Sequence, residues 1–228
     1  MTGMLASVNS VAEALMVLSA EVNIIDLKQP ALGALGALDI AAVRQIVAEI
    51  DGRCPVSTTI GDLAMQPDLV FNAVKAMAEM GVDYIKIGFF PGDDWRGTVE
   101  KLSALTQQNF ALIAVLFADT QPDFAIMSLL KEAGFAGVML DTMDKKKGSL
   151  TQLMAKMEIA QFVAQAKGLK LLCGLAGSLR LEDIPELMLH NADYLGFRGA
   201  LCQGHDRVGQ LNKQAVIQIR CAIKPYAL

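Results

Sequence analysis

The feature that most constrains the fold is a regular alternation along the whole chain. Short apolar runs rich in β-branched residues are each followed by a stretch with helical periodicity. This alternation is typical of a parallel sheet whose strands are joined by helices. Eight strands are predicted, at residues 4–8, 22–28, 56–61, 84–90, 111–118, 137–141, 170–175 and 194–197. Helices are predicted at 11–19, 39–50, 67–80, 95–107 and 123–133, from 149 onward, and at 182–189 and 213–223.

The number of these units predicts how the sheet is arranged. Eight units in 228 residues come close to the size of a (β/α)8 barrel, which is about 250 residues. An open doubly wound sheet also alternates, but the glycine-rich dinucleotide fingerprint after the first strand is absent. The sequence therefore predicts the α/β class and a single (β/α)8 TIM barrel over residues 1–228.

Composition excludes several classes of protein. The chain is 53% hydrophobic and 19% charged, which predicts a large buried core. Its formal charge is −4 and no basic face is evident, so we expect no nucleic-acid partner. The longest apolar run, 110–118, is too short to cross a membrane. The first 20 residues lack the basic residue of a secretory signal, so we expect a cytoplasmic protein without a membrane partner.

Cysteine and histidine spacing does not indicate a metal site. The four cysteines are Cys54, Cys173, Cys202 and Cys221. They form no CxxC pair and are expected to be reduced core thiols, and three of them lie in or beside predicted strands or helices. The two histidines, His190 and His205, lack metal-ligand spacing. We therefore predict no metal and no cofactor. Apolar helices rich in methionine leave room for a self-association surface, so we expect a homo-oligomer.

Two predicted strands carry a lysine near their C-terminal ends, Lys28 and Lys86. A buried ammonium must be paired or lose its proton, and active sites of these barrels lie at the C-terminal strand ends. Alternation places Asp26 on the same side as Lys28. Lys28, Lys86 and Asp141 fall on strands 2, 4 and 6, and inward residues of alternate strands share a layer. The sequence thus predicts that these side chains converge.

The paired lysines have two interpretations. A free lysine has a pKa of about 10.4, and only its neutral form attacks a carbonyl. A second cation and partial desolvation both favour the neutral form, so the pair suits a Schiff-base enzyme with one nucleophile and one acid/base. The alternative is that each lysine simply forms an interior ion pair with an aspartate. A run of three further lysines after strand 6 is either a solvated face or a source of one more site residue: Lys145, Lys146 and Lys147.

Glycine motifs follow strands 7 and 8, where barrels build phosphate sites from backbone N–H groups. The candidate phosphate-binding residues are Gly174, Ala176, Gly177, Ser178, Arg198, Gly199 and Ala200. Arg198 could add a bidentate contact. The loop 31–36 repeats Ala-Leu-Gly and is interpreted as a lid. Asp62 and Asp206 are lesser candidates, with turn or capping roles equally consistent with their positions.

Six motifs in order support a family resemblance. They are IIDLKQP, STTIGD, DYIKIG, VMLDT followed by lysine, LAGSL, and GFRGALC followed by GHDR. Together they closely resemble the (5-formylfuran-3-yl)methyl phosphate synthases, also called 4-(hydroxymethyl)-2-furancarboxaldehyde-phosphate synthases. The resemblance implies a TIM-barrel carbon–oxygen lyase that makes the furan precursor of methanofuran-type one-carbon carriers from two molecules of glyceraldehyde 3-phosphate.

The resemblance also implies roles for individual residues. Lys28 matches the family's Schiff-base lysine, Lys86 its acid/base lysine, and Asp26 and Asp141 its active-site aspartates. A further family lysine falls on Lys145, although the lysine run leaves its two neighbours as alternatives. Three other functions stay open: a Schiff-base aldolase acting on another small sugar phosphate, a phosphosugar isomerase that forms no imine, and a non-catalytic barrel that binds phosphorylated metabolites.

Overall fold

Eight parallel strands close into a barrel in chain order in the computed structural model, which describes residues 1–92 and 94–223. The first strand pairs with both the second and the eighth, which completes the closure. The strands are β1 Gly3–Val8, β2 Ile24–Leu27, β3 Val56–Thr59, β4 Tyr84–Gly88, β5 Leu112–Phe117, β6 Gly137–Asp141, β7 Leu172–Leu175 and β8 Tyr194–Phe197. The predicted (β/α)8 barrel is confirmed.

The helices lie between the strands at nearly the predicted positions. They are α1 Val11–Ser19, α2 Ile40–Ile50, α3 Pro67–Ala78, α4 Trp95–Thr106, α5 Ile126–Glu132, α6 Leu150–Leu153, α7 Lys156–Gly168, α8 Ile184–Met188 and α9 Lys213–Ile223. Asp39 caps α2 by accepting the N–H of Ala42. Ser149 caps the start of α6, and its N–H donates to Gln152 Oε1 at 2.9 Å.

Most strand boundaries differ from the prediction by one or two residues, and two of these differences have a clear consequence or cause. β2 ends at Leu27, so Lys28 is the first residue beyond it. β7 begins at Leu172 and not at Lys170, because Lys170 has a left-handed backbone with φ of 55° that a strand cannot include. The helical segment after β6 is also divided, into α6 and α7, since Met154 between them has an extended backbone.

The core has two parts. The larger lies between the strands and the surrounding helices, and the smaller fills the barrel with side chains that include Leu5, Val115 and Met139. Cys54, Cys173 and Cys202 are buried, as expected for core thiols, whereas Cys221 is exposed and the expectation is wrong for it. Within the described residues no helix is long and apolar enough to span a membrane. The apolar barrel interior leaves the C-terminal strand ends as the place where polar side chains meet.

Candidate active site

A cavity of about 550 Å³ opens at the C-terminal ends of the strands, within the size range of ligand pockets. Four aspartates line it: Asp62, Asp141, Asp144 and Asp206. Seven basic residues line it: Lys28, Lys86, Lys145, Lys146, Arg180, Arg198 and Arg207. The chain as a whole has a net charge of −4, but basic residues outnumber acidic ones in the lining of this cavity. This local excess of positive charge favours an anionic ligand.

Asp26 is the innermost charged group of the site and is fully buried. Its carboxylate lies 2.7 Å from Lys86 Nζ and accepts hydrogen bonds from the hydroxyls of Ser7 (2.8 Å) and Ser57 (2.7 Å). Burial raises the pKa of Asp26, but attraction to Lys86 and Lys28 and the hydrogen bonds outweigh it, so the pKa is lowered overall. Asp26 is therefore a permanent anion that fixes Lys86.

Asp141 is shared between two lysines. Its carboxylate lies 2.5 Å from Lys145 Nζ and 3.8 Å from Lys28 Nζ, and it accepts the N–H of Thr142. Burial raises the pKa of Asp141, but the charges of Lys145 and Lys28 outweigh this effect and lower the pKa from its ordinary value of 3.8 to about 2. Of the lysine run, Lys145 is the member whose ammonium contacts Asp141.

The other two lysines of that run do not contact Asp141, although Lys146 lies at the rim of the cavity. Lys146 is exposed, and Lys147 Nζ lies 4.0 Å from a carboxylate oxygen of Asp119. The structure therefore brings Lys145, and not its two neighbours, against Asp141.

Lys28 is the lysine with the most perturbed environment. It is 5% exposed, and burial lowers its pKa from 10.5 to about 7, with Asp141 opposing the shift and Lys145 and Lys86 adding to it. Both ion pairs of the alternative interpretation are present, Lys86 with Asp26 at 2.7 Å and Lys28 with Asp141 at 3.8 Å. The second pair is longer than a hydrogen bond, and Asp141 is shared with Lys145. With a pKa so far below the ordinary value, Lys28 populates its free amine near neutral pH.

The turn after β7 has the strained backbone of a binding loop. Gly177 has φ of 110°, and Ser178 has φ of 50°, which is uncommon for a residue with a side chain. A Cβ on Gly177 would lie 3.0 Å from Thr142 N, so the turn packs directly against the end of β6. The N–H groups of Gly177 and Ser178 have no hydrogen-bond partner among the described residues. Two free N–H groups at the cavity are suited to an anion.

The other predicted phosphate-binding residues are placed differently. Gly174 lies inside β7, where a Cβ would come within 2.3 Å of the Tyr194 ring, so it makes room for packing. Ala176 is buried in the wall and its N–H is bonded to Leu140 O. Gly199 lines the cavity, whereas Ala200 lines a neighbouring groove.

Arg198 is fully occupied by the protein. Its guanidinium lies 2.5 Å from Glu13 Oε2 and 3.3 Å from Glu13 Oε1, and it also donates to the carbonyls of Ser7, Arg207 and Gly209. These contacts use all five of its N–H groups. The bidentate phosphate contact predicted for Arg198 would require this buried ion pair to open, so the sequence interpretation does not fit the observed arrangement.

The loop 31–36 is docked over the mouth of the barrel. Asp62 accepts the N–H groups of Ala34 (2.7 Å) and Leu35 (2.6 Å), and Leu35 is inserted into the barrel core with 1% exposure. The tip residue Leu32 is 67% exposed. Asp62 thus anchors the loop. Asp206 accepts the N–H of Val208 within its own turn.

Several residues of the site were missed from the sequence: Ser7, Ser57, Glu13, Arg180 and Arg207. Ser7 and Ser57 are in register with Asp26, so the parity argument used for the lysines could have found them. Arg207 stands in the GHDR motif but was not singled out there. Glu13 and Arg180 carried no distinguishing signal, because ordinary helices and loops also contain glutamate and arginine. Within residues 1–92 and 94–223, no cluster of His, Cys, Asp and Glu could hold a metal ion.

Comparison with known proteins gives consistent relatives. The model of the 4-HFC-P synthase family matches residues 4–220. The (5-formylfuran-3-yl)methyl phosphate synthase of Methanocaldococcus jannaschii is 32% identical over 232 residues, which cover 95% of this chain and 97% of that protein. A Methylorubrum extorquens protein, whose name assigns it provisionally to the same synthase, is 41% identical over 215 residues, covering 94% and 89%.

Similarity to solved structures supports the fold alone. Phosphoribosyl anthranilate isomerase from Thermus thermophilus matches with a TM-score of 0.69 at 11% identity, covering 98% of both chains. At this identity a shared barrel carries no information about the reaction.

Proposed function

Because the chain belongs to the 4-HFC-P synthase family, we propose that it condenses two molecules of glyceraldehyde 3-phosphate into 4-(hydroxymethyl)-2-furancarboxaldehyde phosphate through an imine on Lys28. The observation that carries the proposal is the state of Lys28: a buried lysine with a pKa of about 7, beyond hydrogen-bond distance of Asp141. Its free amine is available to attack a carbonyl near neutral pH.

The proposed reaction balances and sets the tasks of the site. Two triose phosphates hold six carbons and two phosphates. The furan phosphate keeps all six carbons and one phosphate, so one inorganic phosphate and two waters are released. The conversion requires carbonyl activation, removal of an α-proton, formation of a carbon–carbon bond and eliminations. An imine supplies the electron sink for the first steps, and a second lysine moves the protons.

The positions of the other charged residues support a division of roles. Asp141, 3.8 Å from Lys28 Nζ, is placed to stabilise the positive charge that develops when the imine is protonated. Lys145 holds this carboxylate from the opposite side. Lys86, fixed by Asp26 at 2.7 Å, faces the same cavity and is proposed to shuttle protons. Asp26 positions Lys86 and does not itself touch the substrate.

The cavity also fits phosphorylated substrates. Basic residues outnumber acidic ones in its lining, and the free N–H groups of Gly177 and Ser178 offer an anion site on the wall next to Asp141. Binding through backbone N–H groups positions a phosphate without a metal ion.

The test is to incubate the purified protein with glyceraldehyde 3-phosphate alone and analyse the small molecules by mass spectrometry. We expect the six-carbon furan aldehyde phosphate and one equivalent of inorganic phosphate. Borohydride added during turnover should reduce the imine and leave a three-carbon phosphate adduct on the peptide that contains Lys28.

Variants separate the role of Lys28 from general effects of charge. Lys28→Arg keeps the charge but cannot form an imine, so it should abolish both product and adduct. Lys75→Arg, in an exposed lysine of α3 outside the cavity, is the matched control and should retain both. Product formation by Lys28→Arg would contradict the imine, and an adduct on Lys28 without furan would indicate a different aldol reaction.

A further inference from the structure

Arg180 differs from the other arginines of the cavity because its guanidinium has no partner in the protein. Its Nη1 is shielded from solvent, and no hydrogen bond or ion pair of its guanidinium exists among the described residues. By contrast, Arg198 is paired with Glu13 and Arg207 donates to Gly33 O at 2.9 Å. Buried charged donors without partners are unfavourable, so the structure points to a missing acceptor at Arg180.

No carboxylate of the described residues forms an ion pair with the Arg180 guanidinium. Asp183, three residues along the chain, does not contact it: its carboxylate accepts the backbone N–H of Arg180 (2.7 Å) and the hydroxyl of Thr151 (2.6 Å). The side chain of Arg180 instead lines the cavity. The missing acceptor is therefore expected to arrive with a ligand.

The position of the guanidinium identifies the chemistry of this ligand. Arg180 follows the turn of Gly177 and Ser178, whose N–H groups are free. Its Nη1 lies 3.8 Å from the point that a Cβ on Gly199 would occupy, so it also borders the turn after β8. Free N–H groups beside a forked guanidinium match the oxygens of a phosphoryl group, which accepts several hydrogen bonds and carries negative charge.

We propose that Arg180 binds a phosphoryl group of the substrate, in a site completed by the turns after β7 and β8. Arg180 takes the role that the sequence had indicated for Arg198, which is held by Glu13. That the phosphoryl group belongs to a triose phosphate rests on the proposed function, whereas the binding of phosphate itself does not. Arg180 then contributes to substrate affinity and not to the chemical step.

The first experiment measures binding of inorganic phosphate by calorimetry to the wild-type protein, Arg180→Gln and Arg44→Gln. Arg44 is an exposed arginine on α2 outside the cavity and serves as the matched control. Loss of a charge-assisted contact should weaken phosphate binding by Arg180→Gln about 10- to 100-fold, with Arg44→Gln unchanged. If product forms, KM for glyceraldehyde 3-phosphate should rise by a similar factor while kcat changes little.

A second measurement uses the wild-type protein and does not depend on the folding of a variant. Phenylglyoxal modifies accessible guanidinium groups, and saturating inorganic phosphate should protect Arg180 but not Arg44, as followed by peptide mass spectrometry. Equal phosphate affinity of Arg180→Gln and wild type, or modification of Arg180 at the same rate with and without phosphate, would overturn the proposal. Absence of furan product with Arg180-dependent phosphate binding would reject only the proposed function.

Discussion

Replacing Lys28 with methionine should remove a pH dependence from the stability of the barrel. Methionine has a similar length and fits an apolar site but carries no ionisable group. In the unfolded chain lysine stays protonated up to its ordinary pKa of 10.5, whereas burial in the folded state lowers the pKa to about 7. Between these two pH values the unfolded chain binds more protons, so the free energy of unfolding of the wild-type protein rises with pH.

The size of the effect follows from the two pKa values. One proton of difference changes stability by about 1.4 kcal/mol per pH unit inside the window, and less near its ends. Between about pH 7.5 and pH 9.5, the wild-type protein should therefore gain roughly 2 to 3 kcal/mol relative to Lys28→Met. Below this window the lysine is a net destabilising residue, and the variant should be the more stable protein.

The assay is urea unfolding followed by circular dichroism at several pH values. Titrating groups that do not interact with Lys28 cancel in the difference between the two proteins, which isolates the contribution of Lys28 and the charges coupled to it. Lys75→Met, at an exposed position on α3, is the control and should run parallel to the wild type. If the curves of wild type and Lys28→Met are also parallel, burial does not lower the pKa of Lys28 and the case for its amine as the nucleophile fails.

Three further predictions test the surroundings of Lys28. Asp26→Asn leaves Lys86 buried without its carboxylate and should lower the urea-derived free energy of unfolding by about 3 to 5 kcal/mol; an unchanged value would contradict the buried pair. Gly177→Ala should reduce activity, because its Cβ would collide with the end of β6. Gly52→Ala is its control, because a Cβ on Gly52 would have no atom within 4 Å. It should lower the free energy of unfolding only by the strain of a left-handed alanine, about 1 to 2 kcal/mol, and leave turnover intact. Asp62→Ala removes the acceptor of two loop N–H groups, so limited proteolysis should cut loop 31–36 faster, and an unchanged cleavage rate would refute the anchor.

The sequence by itself determined the barrel and the end of it that carries the site. Strand and helix periods are local properties, so eight alternating units could be recognised without knowing any contact. Parity along a strand is equally local. It placed Lys28 and Asp26 on one side and predicted that they meet Lys86 and Asp141 at the strand ends, where the structure has them.

Only the tertiary structure decided which charges pair and which stay unpaired. Arg198 is held by Glu13, 185 residues away, and no periodicity connects the first helix to the last strand. Likewise, the choice of Lys145 within the lysine run depends on the path of the loop after β6.

The physical reason is that a pKa or an ion pair depends on distances of a few ångströms and on exclusion of water. Both arise when strands distant in sequence close around a common interior. Barrel closure therefore gives Lys28 its pKa of about 7 and leaves Arg180 facing the cavity without a partner.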